Sequence, residues 1–205
     1  MNNDKNLINL LKLMQITRTQ PQYGYALTGL HKHELSSLAE HHYLVTFIAL
    51  QLARMVNAAG AKIDVARLLE IALVHDLGEL FGGDISRPYA IKNPKARVLA
   101  KAFEAENQKF LRQYFPTDDK KLWEDVMEPS SDEGRIFKIA DYMETAHYIK
   151  YLNKFKKLDV KILKDKIPPI ARKIKDKIAK KELQRFVNLW MKEIQKKTAT
   201  EILFD

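Results

Sequence analysis

The chain of 205 residues contains no cysteine. That excludes disulfides and thiolate metal sites, so any metal it held would have nitrogen and oxygen ligands only. Glycine and proline are sparse, seven of each, which argues against a loop-rich or fibrous chain. No stretch of about 18 uncharged apolar residues occurs, so no membrane span is expected. Met1 to Lys5 are polar with no apolar signal core behind them, and the expected compartment is the cytoplasm. Apolar and polar residues nowhere alternate for long enough to make a sheet, and no internal repeat is present. What is left is helix. The expectation is an all-α fold in a single domain over 1–205, with a core at about 5–152 and a basic helical extension, 153–205, packed on it.

An acidic surplus is also missing, since the formal net charge is +9. From Lys150 onward 17 Lys and Arg stand against 7 Asp and Glu, so this last part carries the entire excess. Such a tail attracts anions, and nucleic acid is a partner it allows. The lysines are spread around helical turns among Ile and Leu, however, which favours a solvated helix face over a nucleic-acid or membrane surface.

Apolar periodicity sets out the helices. Leu7, Leu10, Leu11 and Met14 mark one face of a helix over 4–18. Pro21 and Gly24 break it, and residues 20–34 read as a loop carrying Tyr23, Tyr25, His31 and His33. Ser37-Leu-Ala-Glu40 has the form of a capping box and starts a helix running to about Asn57, with Val45, Ile48, Ala49 and Leu52 inward. Asp64 is an N-cap for a helix over 65–76 whose inner positions are Leu68, Leu69, Ala72, Leu73 and His75. An irregular segment reaches Pro94. The helix over 95–114 then collects Val98, Leu99, Ala102, Phe103, Phe110 and Leu111 on one side. A short helix follows Pro116, carries Leu122, Trp123 and Val126, and stops at Pro129. A long one over 132–152 buries Ile136, Ile139, Ala140, Met143 and Ala146, and the remainder is expected as helices broken near Pro168-Pro169.

One stretch carries chemistry. In Ala-Leu-Val-His-Asp-Leu-Gly-Glu-Leu-Phe-Gly-Gly-Asp, residues 72–84, His75 and Asp76 offer a metal an imidazole nitrogen and a carboxylate oxygen side by side. Two ligands cannot hold a catalytic divalent ion. His41, in Ser-Leu-Ala-Glu-His-His, and Asp141, in Phe-Lys-Ile-Ala-Asp-Tyr, are the best candidates for the others, because each lies in a segment that reads as packed helix. A carboxylate among Ile139, Ala140 and Met143 is expensive to bury unpaired, and metal ligation offsets that cost. Gly82-Gly83 makes a turn able to bring Asp84 back toward the metal. His42 faces about 100 degrees away from His41 on a helix and is assigned to packing. His31, His33 and His147 have no matching ligand partner.

Taken in order, His41, His75-Asp76 and Asp141 resemble the ligand pattern of the HD-domain phosphohydrolases. The surrounding Leu-Ala-Glu-His, His-Asp-Leu-Gly-Glu with Gly-Gly-Asp behind it, and Lys-Ile-Ala-Asp are similar to the 5'-deoxynucleotidase branch, over roughly residues 5 to 150. The resemblance implies an HD-domain helical bundle, a homodimer, and removal of the 5'-phosphate from (deoxy)nucleoside monophosphate substrates. It makes His41, His75, Asp76 and Asp141 the metal ligands, gives Glu79 a water-orienting or base role, and makes Asp84 the proton donor to the departing 5' oxygen or a sugar contact. Two imidazoles and two carboxylates suit manganese, cobalt, iron, nickel or zinc. Superfamily members with two metals generally use further histidines before the last Asp, and none of the six here lies between Asp76 and Asp141. One divalent ion is therefore expected.

The branch also places an Arg followed closely by Trp near the end of the first helix. Here Arg18 is followed by Thr-Gln-Pro-Gln-Tyr before Gly24-Tyr25, so Arg18 and Tyr25 are the candidate substrate contacts and Arg87 an alternative phosphate clamp. This departure removes the usual ground for a deoxyribose preference. Two other functions stay open. One is hydrolysis of nucleoside triphosphates or modified nucleotides at the same site, and the other is a nucleic-acid-binding module with a vestigial metal site. Alarmone hydrolysis is disfavoured, because that branch resembles His-Asp-x-x-Glu-Asp and Leu80 follows Glu79 here.

Overall fold

The computed structural model describes residues 3–196 and Ile202. Among these residues there are nine α-helices and no β-strand: α1 (Asn3–Leu13), α2 (Leu38–Ala58), α3 (Val65–Val74), α4 (Arg87–Lys92), α5 (Pro94–Arg112), α6 (Lys120–Met127), α7 (Asp132–Tyr151), α8 (Lys157–Arg172) and α9 (Lys177–Glu193). The expected all-α class is what the chain adopts. It divides into two compact units, Met1–Tyr43 with Val74–Lys120, and Leu44–Leu73 with Lys121–Asp205.

In the first unit, α1 gives way to a 3₁₀ turn at Met14–Arg18 in place of the single longer helix that periodicity suggests. Of its expected inner residues only Leu10 is buried, while Leu7 and Leu11 are exposed. The loop that follows contains two more 3₁₀ turns, Tyr23–Thr28 and Lys32–Glu34. An isolated antiparallel bridge joins Pro21 to Ser37. The segment expected to be irregular after Asp84 includes the short α4.

Helix α5 has an unusual inner face. Its buried residues are Asn107, Gln108 and Leu111, whereas Val98 is 67% exposed, Leu99 65% and Phe103 48%. Ala102 and Phe110 are exposed as well. The helix is amphipathic as expected, but it turns its polar side inward. The reason is what it packs against: the Glu104 backbone and the Gln108 side chain lie so close to Gly78 that a Cβ there would fall 2.8 Å and 3.0 Å from them. The Asn107 amide donates to the Gly78 carbonyl at 2.7 Å. A helix seated on backbone needs a donor on that face; Val98 and Leu99 are left outside, while Phe103 packs on Gly83 and Phe110 on Phe81 and Tyr114.

The second unit holds the larger core. Val45, Ala49, Leu52, Ala53 and Val56 of α2, Leu68 and Ile71 of α3, Ile136, Phe137, Ile139 and Ala140 of α7, and Leu183 and Val187 of α9 are all buried. Leu73, expected inward, is 54% exposed, and α3 ends at Val74, before the His-Asp pair. Asp64 caps α3 by accepting the Arg67 amide at 3.1 Å. Helix α8 runs through Pro168-Pro169 to Arg172 and does not break there. The missing amide bonds are offset by burial, since Ile167, Ala171 and Ile174 on either side are fully inaccessible. Trp190, also buried, donates its indole N–H to His147 Nε2 at 2.9 Å.

Asp125 fastens the turn between α6 and α7. Its buried carboxylate accepts the amides of Ser130 and Ser131 at 2.7 and 2.9 Å and the hydroxyls of both serines. Burial alone would raise its pKa, but these hydrogen bonds outweigh it and hold the carboxyl below its usual value. Asp125→Ala, which orphans both amides, is expected to cost about 3 kcal/mol of stability in denaturant melts. Because the folded pKa is depressed, the carboxylate's contribution is present above the unfolded value and lost as pH falls through the folded one. The stability gap between wild type and Asp125→Ala should therefore narrow in acid.

Candidate active site

The start of α2 is fixed before any functional side chain is reached. Glu40 accepts the Ser37 amide at 2.7 Å, and Ser37 Oγ accepts the Glu40 amide at 3.3 Å, which is the capping box read from sequence. Ser37 Oγ also donates to Glu40 at 2.9 Å. The Ser37 amide, then its hydroxyl, holds the Glu40 carboxyl below its ordinary pKa. His41 follows at once, 1% exposed.

His75 and Asp76 stand just beyond α3, and a 3₁₀ turn at Leu77–Glu79 continues from them. His75 is 3% exposed. His41 Nε2 lies 3.1 Å from His75 Nε2, and Asp76 Oδ2 lies 3.5 Å from the first and 3.1 Å from the second. Three donor atoms from two segments thus converge within one buried corner of the first unit. Glu79 is half-buried on the same turn, its amide donating to the Asp76 carbonyl at 2.8 Å. Gly82 and Gly83, with φ of 100° and 103°, supply the left-handed turn that returns the chain toward the cluster. Asp84 then senses both Asp76 and His41. Burial is the main reason its pKa is raised, opposed by the hydrogen bond from the Gly24 amide, while Asp76 pushes it up and His41 pulls it down.

His42, expected in packing, is 7% exposed. Its ring centroid lies 4.7 Å from that of His75, and His42, His75 and Asp76 form a group whose ligand atoms all fall within 4.8 Å. A 100-degree offset takes a side chain off the face, but near a helix start it does not take it out of reach of a partner.

The other expected residues are distributed as follows. Asp141 belongs to α7 in the second unit, half-buried, with Lys138 Nζ 2.7 Å from its Oδ2. Arg18 is exposed and donates to Gln15 Oε1 at 3.0 Å. With Thr19, Pro21, His33, Leu35, Ser37 and Glu40 it lines a cavity of about 290 Å³. Tyr25 is half-buried in the 3₁₀ turn Tyr23–Thr28. Arg87 opens α4, and its side chain lies outside the described residues. No helix among the described residues is long and apolar enough to cross a membrane.

An all-α chain in which two histidines and an aspartate converge has the makings of an HD-type phosphohydrolase. The sequence pattern of the YfbR-like 5'-deoxynucleotidases matches residues 12–196, and the chain belongs to that family. It is 28% identical over 139 residues to the 5'-deoxynucleotidase of Photorhabdus laumondii, covering 66% of this chain and 62% of that one. With the 5'-deoxynucleotidase HDDC2 of Mus musculus it shares 30% identity over 142 residues, 67% of this chain and 65% of the relative. The matched part thus spans somewhat less than two thirds of the length of these relatives. Among solved structures, a conserved hypothetical protein from Pyrococcus furiosus superposes with a TM-score of 0.67 at 26% identity, over 92% of this chain and 98% of that one.

The cap that seats His41 is open to test. Ser37→Ala is expected to lower stability by about 1 kcal/mol. Glu40, with a depressed folded pKa, stabilises above the unfolded value of about 4.3 and stops doing so as pH falls through the folded one. The melting-temperature difference between wild type and Glu40→Ala should accordingly be present at pH 7 and shrink below pH 4.

Proposed function

We propose that the chain is a divalent-metal-dependent 5'-nucleotidase acting on nucleoside monophosphates, with deoxynucleotides the first substrates to test. The observation that carries this reading is the approach of His41 Nε2, His75 Nε2 and Asp76 Oδ2 in a member of the YfbR-like family. Atoms bound at about 2.1 Å in adjacent octahedral positions lie about 3.0 Å apart, close to the separations of 3.1 to 3.5 Å found here. Nitrogen and carboxylate oxygen in this mixture suit manganese, cobalt, iron, nickel or zinc. In this reading Asp141 supplies the fourth ligand and a single ion is held. Once bound, the ion lowers the pKa of a water molecule and neutralises charge on phosphate oxygens.

The remaining work falls to this chain's own groups. Glu79, on the same turn as Asp76, orients the attacking water or takes its proton. Asp84 gives a proton to the departing 5' oxygen. Arg18 and Tyr25 contact the nucleotide, with Arg87 as an alternative clamp for its phosphate. The chain works in the cytoplasm. Two copies assemble through the outer face of α5, where Val98, Leu99 and Phe103 form an exposed apolar stripe.

The deciding experiment strips the protein of metal, restores manganese, cobalt or zinc, and measures phosphate release from dNMP, NMP and dNTP. Release from dNMP is expected with at least one ion and none without. His75→Ala and Asp76→Ala are expected to lose more than about a hundredfold in turnover together with bound metal. Silence with every ion would overturn the nucleotidase, and faster release from dNTP would move the assignment to triphosphates. Light scattering should give about twice the 23.8 kDa chain mass. The Val98→Lys, Leu99→Lys double variant should halve that value without loss of helix content.

A further inference from the structure

The loop carrying Tyr25 is tied down at two places, and each tie lies close in sequence to a residue of the His-Asp cluster. At its base, the Gln22 amide donates to the Ser36 carbonyl at 3.0 Å and the Leu38 amide to the Gln20 carbonyl at 2.9 Å. That fixes the loop to the start of α2, three residues before His41. At its top, the Gly24 amide donates to Asp84 Oδ2, across 60 positions of sequence. The approach there is very close. A Cβ on Gly24 would stand 2.8 and 3.0 Å from the two Asp84 carboxylate oxygens and 3.3 Å from their carbon. Gly24 has no positive φ, so backbone freedom does not explain glycine at this position. Room for the carboxylate does.

We propose that Gly24 is a positioning residue for the nucleotide: by donating its amide to Asp84 it docks the Tyr23–Thr28 turn onto the segment that follows the His75-Asp76 pair. This rests on the nucleotidase reading and adds a second duty to Asp84. One carboxylate holds the substrate loop and serves the departing oxygen, so the two duties separate by substitution. Asn in place of Asp84 keeps an oxygen to accept the Gly24 amide but cannot donate a proton as a carboxylic acid does. Ala on Gly24 does the opposite, displacing the loop from a carboxyl that is still present. The displaced atoms are the end of a side chain and not backbone, so Gly24→Ala is expected to fold.

Two measurements test the proposal. Amide hydrogen exchange needs neither metal nor substrate. Gly24 should exchange about tenfold or more faster in Asp84→Ala than in wild type, as expected for loss of a charge-assisted hydrogen bond, while Asp84→Asn keeps most of the protection. Steady-state kinetics should then divide. Gly24→Ala raises KM for dNMP about tenfold and changes kcat by less than about threefold, whereas Asp84→Asn lowers kcat and leaves KM near wild type. Equal Gly24 exchange in wild type and Asp84→Ala, or a wild-type KM in Gly24→Ala, overturns the proposal. If no nucleotide is hydrolysed by any variant, the nucleotidase reading and the positioning role fall together, and the exchange result still shows whether the tether exists.

Discussion

Two imidazole nitrogens held 3.1 Å apart in a buried corner are the constraint the first unit is arranged to satisfy. At that spacing either one ring donates to the other or both direct lone pairs at a common ion, and neither arrangement tolerates a loose backbone. His41 is steadied by a capping box one residue upstream. His75 is steadied differently, because its helix has already ended. There the support comes from α5, which presses its own backbone against Gly78 and hydrogen-bonds the Gly78 carbonyl through Asn107. A helix start holds one ligand and a helix flank holds the other.

The same logic accounts for the burial of polar residues that would otherwise look expensive. Asn107 is nearly inaccessible, yet the Gly78 carbonyl it serves belongs to a turn and takes the Asn107 amide at 2.7 Å. A buried carbonyl left unpaired costs about 1–3 kcal/mol, so an asparagine on the inner side of α5 does more there than a leucine would. Asp125 plays the matching part in the second unit, with one carboxylate closing the turn before α7 by accepting two amides and two hydroxyls.

Local signals were readable from sequence and non-local ones were not. The Ser37–Glu40 box, the Asp64 cap, the Gly82-Gly83 turn and the apolar stripes of α2 and α7 each depend on neighbours within a few residues, and each is found where the pattern put it. The convergence of His41 with His75-Asp76 came through resemblance to a family, since the two segments lie 34 positions apart. The inward face of α5 was not readable, because amphipathic periodicity gives a helix two sides without saying which one meets the protein. Continuation of α8 through Pro168-Pro169 was hidden for a related reason: the burial of Ile167, Ala171 and Ile174 is a property of packing. Gly24 and Asp84 gave no sequence signal of their pairing at all.

The seating of α5 on Gly78 leaves the turn without slack. Along its 19 residues, Pro94 to Arg112, the helix passes Gly78 so closely that the Glu104 carbonyl would stand 2.8 Å from a Cβ there. Gly78 has no side chain to cushion it and sits two residues from Asp76. Any side chain at position 78 would have to push the helix or the turn aside.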